Sequence, residues 1–590
     1  MRATYQHRFP GAKYYKRIYF FLFTLLWAGL FHVSTVHAQT ARTDVTDQAK
    51  QELKTQEEVF RTPTRPASIP IEKKPEITVE EEKKEEIKAK GPVFLLKKIK
   101  LEGNQIFSEE NFRPFFSQFE GREISFEDLR TIAQLITDYY RAKGYTTSRA
   151  FIPPQMIENG TPTIKIVEGK VGKIFVEGNQ YFNTKIYTRS IRFGEGQVFR
   201  YQDLATNLYF LNQKPDLEAH AYLIAGETPQ TSDIIIKAKE KRPMHVSYEF
   251  SNRGTKFTHR ARHSILLSHN NLLGFSDVLN ASLTGAEEGA LRAAALQYQF
   301  PIEQTRTLLH LNSSISQSQL VQHLKTFEVE GSAFSIIPGI TQLFIRTPQW
   351  VVETTMAFEI KDSKTEVLGS KISFDRMRVF RIGPQIIHLD RGGQTVLGSD
   401  VHVGIPKFLG GSSKSDKNAS REGAGGEFVY YTVNALRVQR LPLSSFLIVR
   451  GSGQLPKRPL TALEQFRAGG ALTVRGYPEG DAAGDYGFNF SSEIRVPPLF
   501  IPSDWAIPFI HKRWRDAVHF VGFFDGAKVY NHERITPGAK KDKLLLGVGY
   551  GFRVDLDQFA ALQLDIGEPV GEGSTDKSRT QIHLSVRAGI

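Results

Sequence analysis

Four consecutive residues in a long polar stretch of the chain combine side chains that could act together. They are Val474, Arg475, Gly476 and Tyr477, within a segment at about residues 456–486. An ordinary surface loop is one interpretation, but this combination is unusual at a tip that meets only water. If the segment instead folds into a confined space, the Arg475 guanidinium needs an anionic partner, because an unpaired buried charge is costly.

Asp525 is a candidate for that anionic partner. Residues 518–525 alternate in character, and the even-numbered positions are the more apolar set. If the even-numbered set faces lipid, Asp525 faces an interior together with Phe523. A direct pair predicts that exchanging the charges of Arg475 and Asp525 recovers some activity.

No pattern for catalysis or metal binding accompanies these residues. The sequence contains no G-x-S-x-G, H-E-x-x-H or G-x-x-x-x-G-K-[ST] pattern, and its 16 histidines show no convincing ligand spacing. It has no cysteine, which excludes disulfides, thiolate catalysis and cysteine-based zinc sites. We therefore expect a protein that is not an enzyme and that carries no cofactor and no metal.

The net charge of +13 raises the question of a nucleic-acid partner. Five basic residues stand in the first 17, and the first acidic residue is Asp44. The remaining excess is spread over the rest of the chain, which favours a solvated surface and a basic interior. We expect no nucleic-acid partner.

The first 38 residues have the three parts of a secretory signal peptide. A basic stretch ends at Arg17, an apolar run covers 18–33, and Val36–Ala38 provides a small-residue cleavage site. A transmembrane anchor is the alternative, for which the apolar run is slightly short. We predict removal of residues 1–38. Since no later stretch approaches about 18 consecutive apolar residues, the chain can lie in a membrane only as a closed barrel.

Residues 39–92 read as a polar linker. Four prolines fall between residues 63 and 75, and a block of alternating acidic and basic residues covers 80–90. Such a composition cannot bury enough apolar surface to fold alone. A short polar helix at 46–60 is the one element suggested within it.

An internal repeat follows the linker. The pattern K-I-x-[LV]-E-G-N-Q-x-F occurs at Lys98–Phe107 and again at Lys173–Phe182. Each copy predicts a strand, a Gly-Asn turn, helices and closing strands, which are Thr163–Val167 in one copy and Asp233–Lys237 in the other. We predict two small α+β domains, at 93–169 and 170–242.

From about residue 243 the hydrophobic period becomes two and remains so to the end. Met244, Val246, Tyr248 and Phe250 begin the pattern, and Ile582–Ile590 ends it. A soluble β-sandwich or a β-solenoid is the alternative, but alternating short turns and long polar loops favour a membrane barrel. We predict a 16-stranded antiparallel barrel over 243–590, with 11 strands before the loop at 456–486 and five after it.

These segments resemble the two-partner secretion transporters of the TpsB type, the haemolysin/haemagglutinin secretion-activation family, within the superfamily of outer-membrane proteins that combine POTRA domains with a barrel. Residues 474–477 resemble the family's VRGY loop motif, and Phe523, Asp525 and Gly526 lie in a stretch that resembles its F-x-D-x-G strand motif. The two repeats resemble POTRA domains, and the resemblance covers roughly residues 93–590.

The resemblance implies a function. It places Arg475 at the tip of a loop folded into the pore, paired with Asp525 on the inner wall. It implies that the POTRA domains, in the periplasm, bind an unfolded partner protein by adding its strand to a sheet edge. The helix at 46–60 would plug the pore. The expected protein is a monomeric pore in outer-membrane lipid that secretes its partner.

Three departures and three alternative functions remain. The helix at 46–60 is short and weakly marked for a plug. Ala527 stands where the strand motif has glycine, and the chain ends in Ile590 rather than an aromatic residue. A barrel-assembly factor is the main alternative, although such factors usually carry more than two POTRA domains. A diffusion porin would leave the repeat and the arginine loop unexplained, and a secreted enzyme lacks any supporting site.

Overall fold

The computed structural model describes residues 77–79, 93–302, 305–321, 326, 328–508, 510, 512–532 and 542–590. The predicted signal peptide and the predicted helix at 46–60 lie outside these residues. Within them, no helix is both long and apolar enough to cross a membrane. The described chain forms two small α+β repeats followed by a closed barrel.

The first repeat is a three-stranded sheet covered by a long helix. In chain order, the elements up to its end are β1 (Ile77–Val79), which joins the second repeat, β2 (Phe94–Leu95), β3 (Lys100–Glu102), α1 (Arg113–Phe116), β4 (Glu123–Ile124), α2 (Phe126–Ala142), β5 (Arg149–Phe151) and β6 (Thr163–Val167). In the sheet, β6 lies between β3, which is parallel to it, and β5, which is antiparallel. A separate short pair joins β2 to β4.

The start of helix α2 is fixed by hydrogen bonds between Ser125 and Asp128. The hydroxyl of Ser125 accepts a hydrogen bond from the Asp128 N–H, and the Asp128 carboxylate accepts one from the Ser125 N–H. These two reciprocal bonds form a capping box. Leu129, Ile132 and Ile136, spaced at three and four residues, are buried on one face of the helix.

The second repeat has the same kind of sheet with one added strand. Its elements are β7 (Lys170–Glu177), α3 (Thr184–Ser190), α4 (Tyr201–Leu211), β8 (Leu217–Ala225) and β9 (Thr231–Glu240). The strand order is β1-β8-β9-β7, and a core of buried apolar side chains from the helices and strands fills the space beneath the sheet.

Strand β1 is an element that the sequence did not predict within residues 39–92, where it predicts a polar linker with a possible helix at 46–60. Ile77–Val79 runs parallel to β8, with Ile77 opposite Ala221 and Val79 opposite Leu223. The side chain of Ile77 packs against the core of the second repeat. Composition did not reveal this strand because its stability comes from an existing sheet edge rather than from the linker itself.

The repeated Gly-Asn turn has the same construction in both copies. Gly103 and Gly178 adopt positive φ angles of 94° and 81°, which side chains rarely tolerate. The side-chain amides of Asn104 and Asn179 then donate to the carbonyl oxygens three residues on, at 3.0 and 3.1 Å. The repeat in the sequence is therefore a repeated backbone turn.

One carboxylate in each repeat, the buried Glu168 and the half-buried Glu240, receives the backbone that follows the turn. Glu168 Oε1 accepts hydrogen bonds from the N–H groups of Gln105 and Ile106 at 2.8 Å each, and from the Tyr140 hydroxyl at 2.8 Å. Burial and this contact raise the pKa of Tyr140, so its hydroxyl remains a donor. Glu240 occupies the corresponding place in the second repeat, where it receives the N–H groups of residues 180–182.

Sixteen antiparallel strands close into a barrel, as predicted. The elements from residue 244 to the end are β10 (Met244–Ser251), β11 (Arg262–His269), β12 (Val278–Gly285), β13 (Leu291–Ile302), β14 (Thr307–Gln319), β15 (Glu330–Arg346), β16 (Trp350–Val367), β17 (Ser370–Asp390), β18 (Gly393–Gly404), β19 (Val429–Arg440), β20 (Phe446–Pro456), β21 (Phe466–Ala468), β22 (Ala482–Gly484), β23 (Tyr486–Val496), α5 (Trp514–Ala517), β24 (Val518–Tyr530), β25 (Asp542–Asp555), β26 (Ala560–Pro569) and β27 (Gln581–Gly589). Of the strands described from residue 244 onward, β21 and β22 are not part of the barrel wall, and the wall closes where β10 pairs with β27. The arrangement of 11 strands before the long loop and five after it is confirmed.

The two faces of the barrel wall differ in polarity. Apolar side chains that stand exposed on the wall include Leu283, Leu296, Ile315, Phe334, Ile340, Met356, Leu397, Val433, Phe488, Phe524 and Ile582. Buried polar and charged side chains on the strands include Gln297, Ser314, Ser316, Glu359, Lys361, Arg381, His402, Gln454 and Ser491. An apolar outer face and a polar interior are what a barrel in a membrane requires.

We predict that Glu168→Gln loosens the first repeat by about 1–2 kcal/mol, because three donors lose a charged acceptor. Proteolysis of the detergent-solubilised full chain under native conditions measures this as faster cleavage within residues 93–169. The matched control is Glu158→Gln, an exposed position in the same repeat. Equal cleavage rates for the two variants would contradict the prediction.

Candidate functional site

The segment between β20 and β23 lies within the barrel. Strands β21 and β22 pair with each other as a short hairpin, and the hairpin contacts β23 and β24 on the barrel wall. Val474, Arg475 and Tyr477, in the turn that joins the two strands of the hairpin, are almost fully buried. The loop predicted at 456–486 therefore has an inward course, which turn composition alone could not establish.

Arg475 and Asp525 are brought into direct contact. The Arg475 side chain donates from Nε to Asp525 Oδ2 at 2.7 Å and from Nη2 to Oδ1 at 2.9 Å. The backbone N–H of Arg475 adds a third hydrogen bond, at 3.0 Å to Oδ2. Such a fork-to-fork arrangement fixes the orientation of the guanidinium as well as its position. Asp525 is fully buried, which accords with its interior position in the alternation of β24.

The contacts of Arg475 extend beyond this pair. Its Nη1 also donates to Glu493 on β23, and the same atom lies 3.7 Å from Asp565 Oδ1 on β26. The ring of Phe523 covers the guanidinium, with its centre 3.6 Å from Cζ. One arginine therefore joins the loop tip to three wall strands.

Sequence reasoning identified Asp525 but missed Glu493 and Asp565. Asp565 stands between the apolar residues Leu564 and Ile566, and Glu493 is followed by Ile494, although the polar Ser492 precedes it. Their alternation with apolar residues places both on the inner face, as it does Asp525. The sequence does not reveal the register between the strands, which places Glu493, Asp525 and Asp565 at the same level along the barrel wall.

Other charged groups continue the cluster along the wall. Arg495 Nε donates to Glu493 Oε1 at 2.7 Å, and Arg553 Nη2 lies 2.8 Å from Asp565 Oδ1. Ser491 donates to Asp525 at 2.7 Å. Glu493 and Asp565 are thus shared with cations other than Arg475, whereas the only cation that contacts Asp525 among the described residues is Arg475.

The residues beside Arg475 fit the tip against the wall. Gly476 has a φ of 112°, and a Cβ there would come within 2.9 Å of the Glu568 backbone. The hydroxyl of Tyr477, whose ring is fully buried, donates to the Glu572 carbonyl oxygen at 2.7 Å. Val474 packs with Tyr477 in a small apolar cluster. Each member of the four-residue motif has a distinct contact.

The wall is shaped to accept the tip. A Cβ on Gly547 would lie 2.0 Å from the Arg475 carbonyl oxygen, and one on Gly567 would lie 2.6 Å from the Gly476 nitrogen. The backbone of the tip therefore rests directly on β25 and β26. Ala527, where glycine was expected, is buried in the apolar cluster with Val474 and Tyr477. Gly526 precedes it on β24 and pairs with Leu546.

The base of the loop is held by a second group of charges. Lys361 Nζ, on β16, lies 2.7 Å from Glu464 Oε1 in the loop and 2.8 Å from Glu359 Oε2. The hydroxyl of Tyr430 donates to the other Glu464 oxygen at 2.8 Å. Lys361, Glu359 and Glu464 are all buried. We call Lys361, Glu464 and Tyr430 the stem contact.

The return half of the loop has its own contacts. Asp481 accepts a hydrogen bond from Lys543 Nζ at 2.6 Å and one from the Thr575 N–H at 2.9 Å. Asp485 pairs with Arg421 of the preceding long loop. Among the described residues, no group of histidine, aspartate and glutamate side chains has the geometry of a metal site. The chemistry available at this site is the making and breaking of ion pairs.

The cluster changes the expectation for a charge exchange. With Arg475→Asp and Asp525→Arg combined, the new carboxylate at 475 would face not only the new guanidinium at 525 but also the carboxylates of Glu493 and Asp565. We therefore predict that the exchange does not restore the loop, although a simple pair would allow it. The measurement is cleavage of the loop by protease added outside intact cells. Protection equal to that of the unmodified chain would contradict the prediction.

Comparison with known proteins gives two family matches. Residues 230–553 match the haemolysin secretion/activation protein family ShlB/FhaC/HecB, and residues 94–169 match the ShlB-type POTRA domain. The chain is 22% identical over 492 residues to the heme/hemopexin transporter protein HuxB of Haemophilus influenzae, which covers 82% of this chain and 84% of HuxB.

Solved structures support the fold. CdiB from Escherichia coli superposes with a TM-score of 0.65 at 18% identity, covering 94% of this chain and 100% of CdiB. BamA from Haemophilus ducreyi lacking POTRA domains 1–3 gives a TM-score of 0.50 at 14% identity, covering 84% of this chain and 100% of that one. Because the family match extends over more than half of the chain, this protein belongs to the haemolysin secretion/activation protein family ShlB/FhaC/HecB, whose members are outer-membrane transporters with POTRA domains.

Proposed function

We propose that the loop carrying Arg475 is the gate of an outer-membrane pore through which this chain secretes a partner protein. The observation that carries the proposal is the contact of one buried guanidinium with carboxylates on three strands. An ion-pair group of this kind fixes one loop position strongly, yet it exchanges partners readily when water or a polypeptide enters.

The two repeats lie before the barrel in the chain and are the part proposed to bind the partner protein first. We propose that residues 93–169 and 170–242 are the periplasmic domains that bind the unfolded partner before it enters the barrel. The side chain of Asp216, at the start of β8, accepts hydrogen bonds from His245 and Asn270 of the barrel, at 2.8 and 2.6 Å. These contacts support a direct path from the second repeat to the barrel mouth.

The pore is proposed to act as a single chain in outer-membrane lipid. One chain closes its own barrel through β10 and β27, so no second copy is needed to complete the wall. The apolar side chains exposed on the strands match a lipid surrounding. A large exported protein encoded beside this gene would identify the partner.

Barrel assembly is the competing function, and the fold likeness to BamA supports its inclusion. An assembly factor would insert other barrels and would need no dedicated partner. Deleting the gene distinguishes the two functions. Loss of one exported protein with normal outer-membrane protein levels supports secretion, whereas a general loss of outer-membrane proteins would support assembly.

We predict that Arg475→Ala abolishes secretion while the barrel remains inserted. The change leaves buried carboxylates without one of their cations, a loss of about 3–5 kcal/mol that displaces the loop tip. Secretion of the partner is measured in the culture medium, and insertion is measured in the outer-membrane fraction.

The matched control for that variant is Arg437→Ala. Arg437 also makes a two-pronged pair, with Asp390 at 2.6 and 3.1 Å, but this pair lies outside the loop and is partly exposed. We expect the control to secrete normally. Normal secretion by Arg475→Ala as well would remove the proposed role of the gate.

We also predict that weakening the stem contact raises the resting conductance of the pore. Lys361→Met removes the cation that holds Glu464, so the base of the loop separates from β16. Planar-bilayer recordings of the purified chain measure the change. The control is Lys364→Met on the same strand, whose pair with Glu366 is partly exposed. Identical conductance in both variants would argue against the stem contact as a support of the gate.

A further inference from the structure

Apart from the three-residue strand β1, the sheet of the second repeat has one long and regular edge, which is formed by β8. Strand β8 is nine residues long and pairs continuously with β9 on one side. Its other side faces outward from the sheet. A long regular edge presents a row of N–H and C=O groups that can pair with an added strand.

The other sheet edges in the two repeats are less suitable. Both edge strands of the first repeat, β3 and β5, are three residues long. The Thr137 hydroxyl also accepts from the N–H of Ala150, the central residue of β5, at 2.9 Å. Short strands and side-chain hydrogen bonds of this kind hinder the pairing of an edge with an added strand.

Strand β7, the remaining edge of the second repeat, is interrupted. Its pairing with β9 shifts register between Val171 and Ile174. The backbone of Val171 is also hydrogen-bonded to the loop between α3 and α4, through Gln197 and Gly196 at 2.8 Å each. A register shift bends a strand and breaks the row of pairing groups, which leaves β8 as the best edge for an added strand.

The edge of β8 is covered by the chain itself. Ile77–Val79 pairs with residues 221–223, and the Asn212 side chain covers Ala219 with two hydrogen bonds. Asn212 accepts from the Ala219 N–H at 2.7 Å and donates to the Ala219 carbonyl oxygen at 3.0 Å. Residues 219, 221 and 223 share one parity, so their backbone groups point to the same side of the strand.

The two groups that cover the β8 edge, the Asn212 side chain and strand β1, differ in the strength of their contact and in where they lie in the chain. Asn212 follows α4 within the folded repeat, whereas β1 comes from the polar segment that precedes both repeats. Strand β1 pairs through three residues, and the side chain of Ile77 packs against the repeat core. A contact of this size is easily exchanged for a longer strand that pairs along more of β8.

We propose that Ile77–Val79 is an internal placeholder that occupies the β8 edge until an extended segment of the secreted protein displaces it. The proposal rests on the proposed function and specifies where the partner first pairs. The incoming ligand is an extended polypeptide recognised through its main chain, with alternate apolar side chains that replace Ile77 against the repeat core. Because β8 begins beside the barrel rim, the displacing segment lies next to the pore entrance.

The first test does not require the secreted partner. The full chain with Ile77→Pro, Thr78→Gly and Val79→Pro cannot form β1, because proline lacks the N–H that a strand donates. The probe is a fluorescent peptide with the sequence of residues 74–82. We expect it to bind this variant at least about tenfold more tightly than the unmodified chain, whose edge is already occupied.

The control peptide carries the same three substitutions and should not bind either protein. Equal binding of the native-sequence peptide to the variant and to the unmodified chain would overturn the placeholder. Failure of that peptide to bind the variant would overturn it as well. Neither result depends on whether the chain secretes anything.

The second test locks the placeholder in position. The chain has no cysteine, so Thr78→Cys with Tyr222→Cys, at register partners in β1 and β8, introduces one defined pair. When this pair is oxidised, secretion of the partner should fall at least about tenfold and return on reduction. The control joins Glu218→Cys to Lys239→Cys, across strands β8 and β9, which stay paired throughout.

Each result of the locking test has a separate meaning. Normal secretion by the oxidised Thr78–Tyr222 pair would overturn the proposal that the partner uses this edge. Loss of secretion only in that pair, reversed by reduction, supports it. If the unmodified chain secretes nothing, the proposed function itself fails, while the peptide test still decides whether β1 is a placeholder.

Discussion

A barrel of 16 strands encloses more space than its own wall side chains can fill, and the rest of this structure follows from that constraint. The loop between β20 and β23 occupies part of the space, so its charged and aromatic residues must be satisfied inside the barrel. Arg475 meets this requirement with Asp525, Glu493 and Asp565. Gly547 and Gly567 let the tip backbone lie directly on the wall.

The carboxylates around Arg475 determine what release of the proposed gate would cost. A single buried pair leaves an uncompensated charge when it breaks, which makes release costly. Here Arg495 and Arg553 already contact Glu493 and Asp565, so those two carboxylates keep cations when Arg475 leaves. Asp525 keeps the Ser491 hydroxyl as a donor. Departure of the loop tip would therefore leave Glu493 and Asp565 compensated, so the cost of release lies mainly in the Arg475–Asp525 pair.

The sequence predicted most of the fold because its signals are local. Alternation along each strand revealed the barrel, and the repeated Gly-Asn turn revealed two domains, since both patterns arise from neighbouring residues. Glu493 and Asp565 carried the same alternation as Asp525 but were not selected, because their shared height depends on register between strands distant in sequence. The resemblance identified the Arg475–Asp525 pair, while the residues alone made it one candidate among several. Strand β1 escaped detection because three residues acquire a strand conformation only from the edge that they meet.

Exposed backbone groups are handled in two ways in this chain, and the difference matches the environment. In lipid an open edge is not tolerated, so β10 and β27 close the wall. In the aqueous repeat, a net contribution of about 0.5–1.5 kcal/mol for each hydrogen bond makes a three-residue cover worth only a few kcal/mol. A longer incoming strand repays that cost by its own pairing with β8. In the proposed exchange of one strand for another, the free energy would come from main-chain pairing of the incoming segment with β8, and no nucleotide would be required.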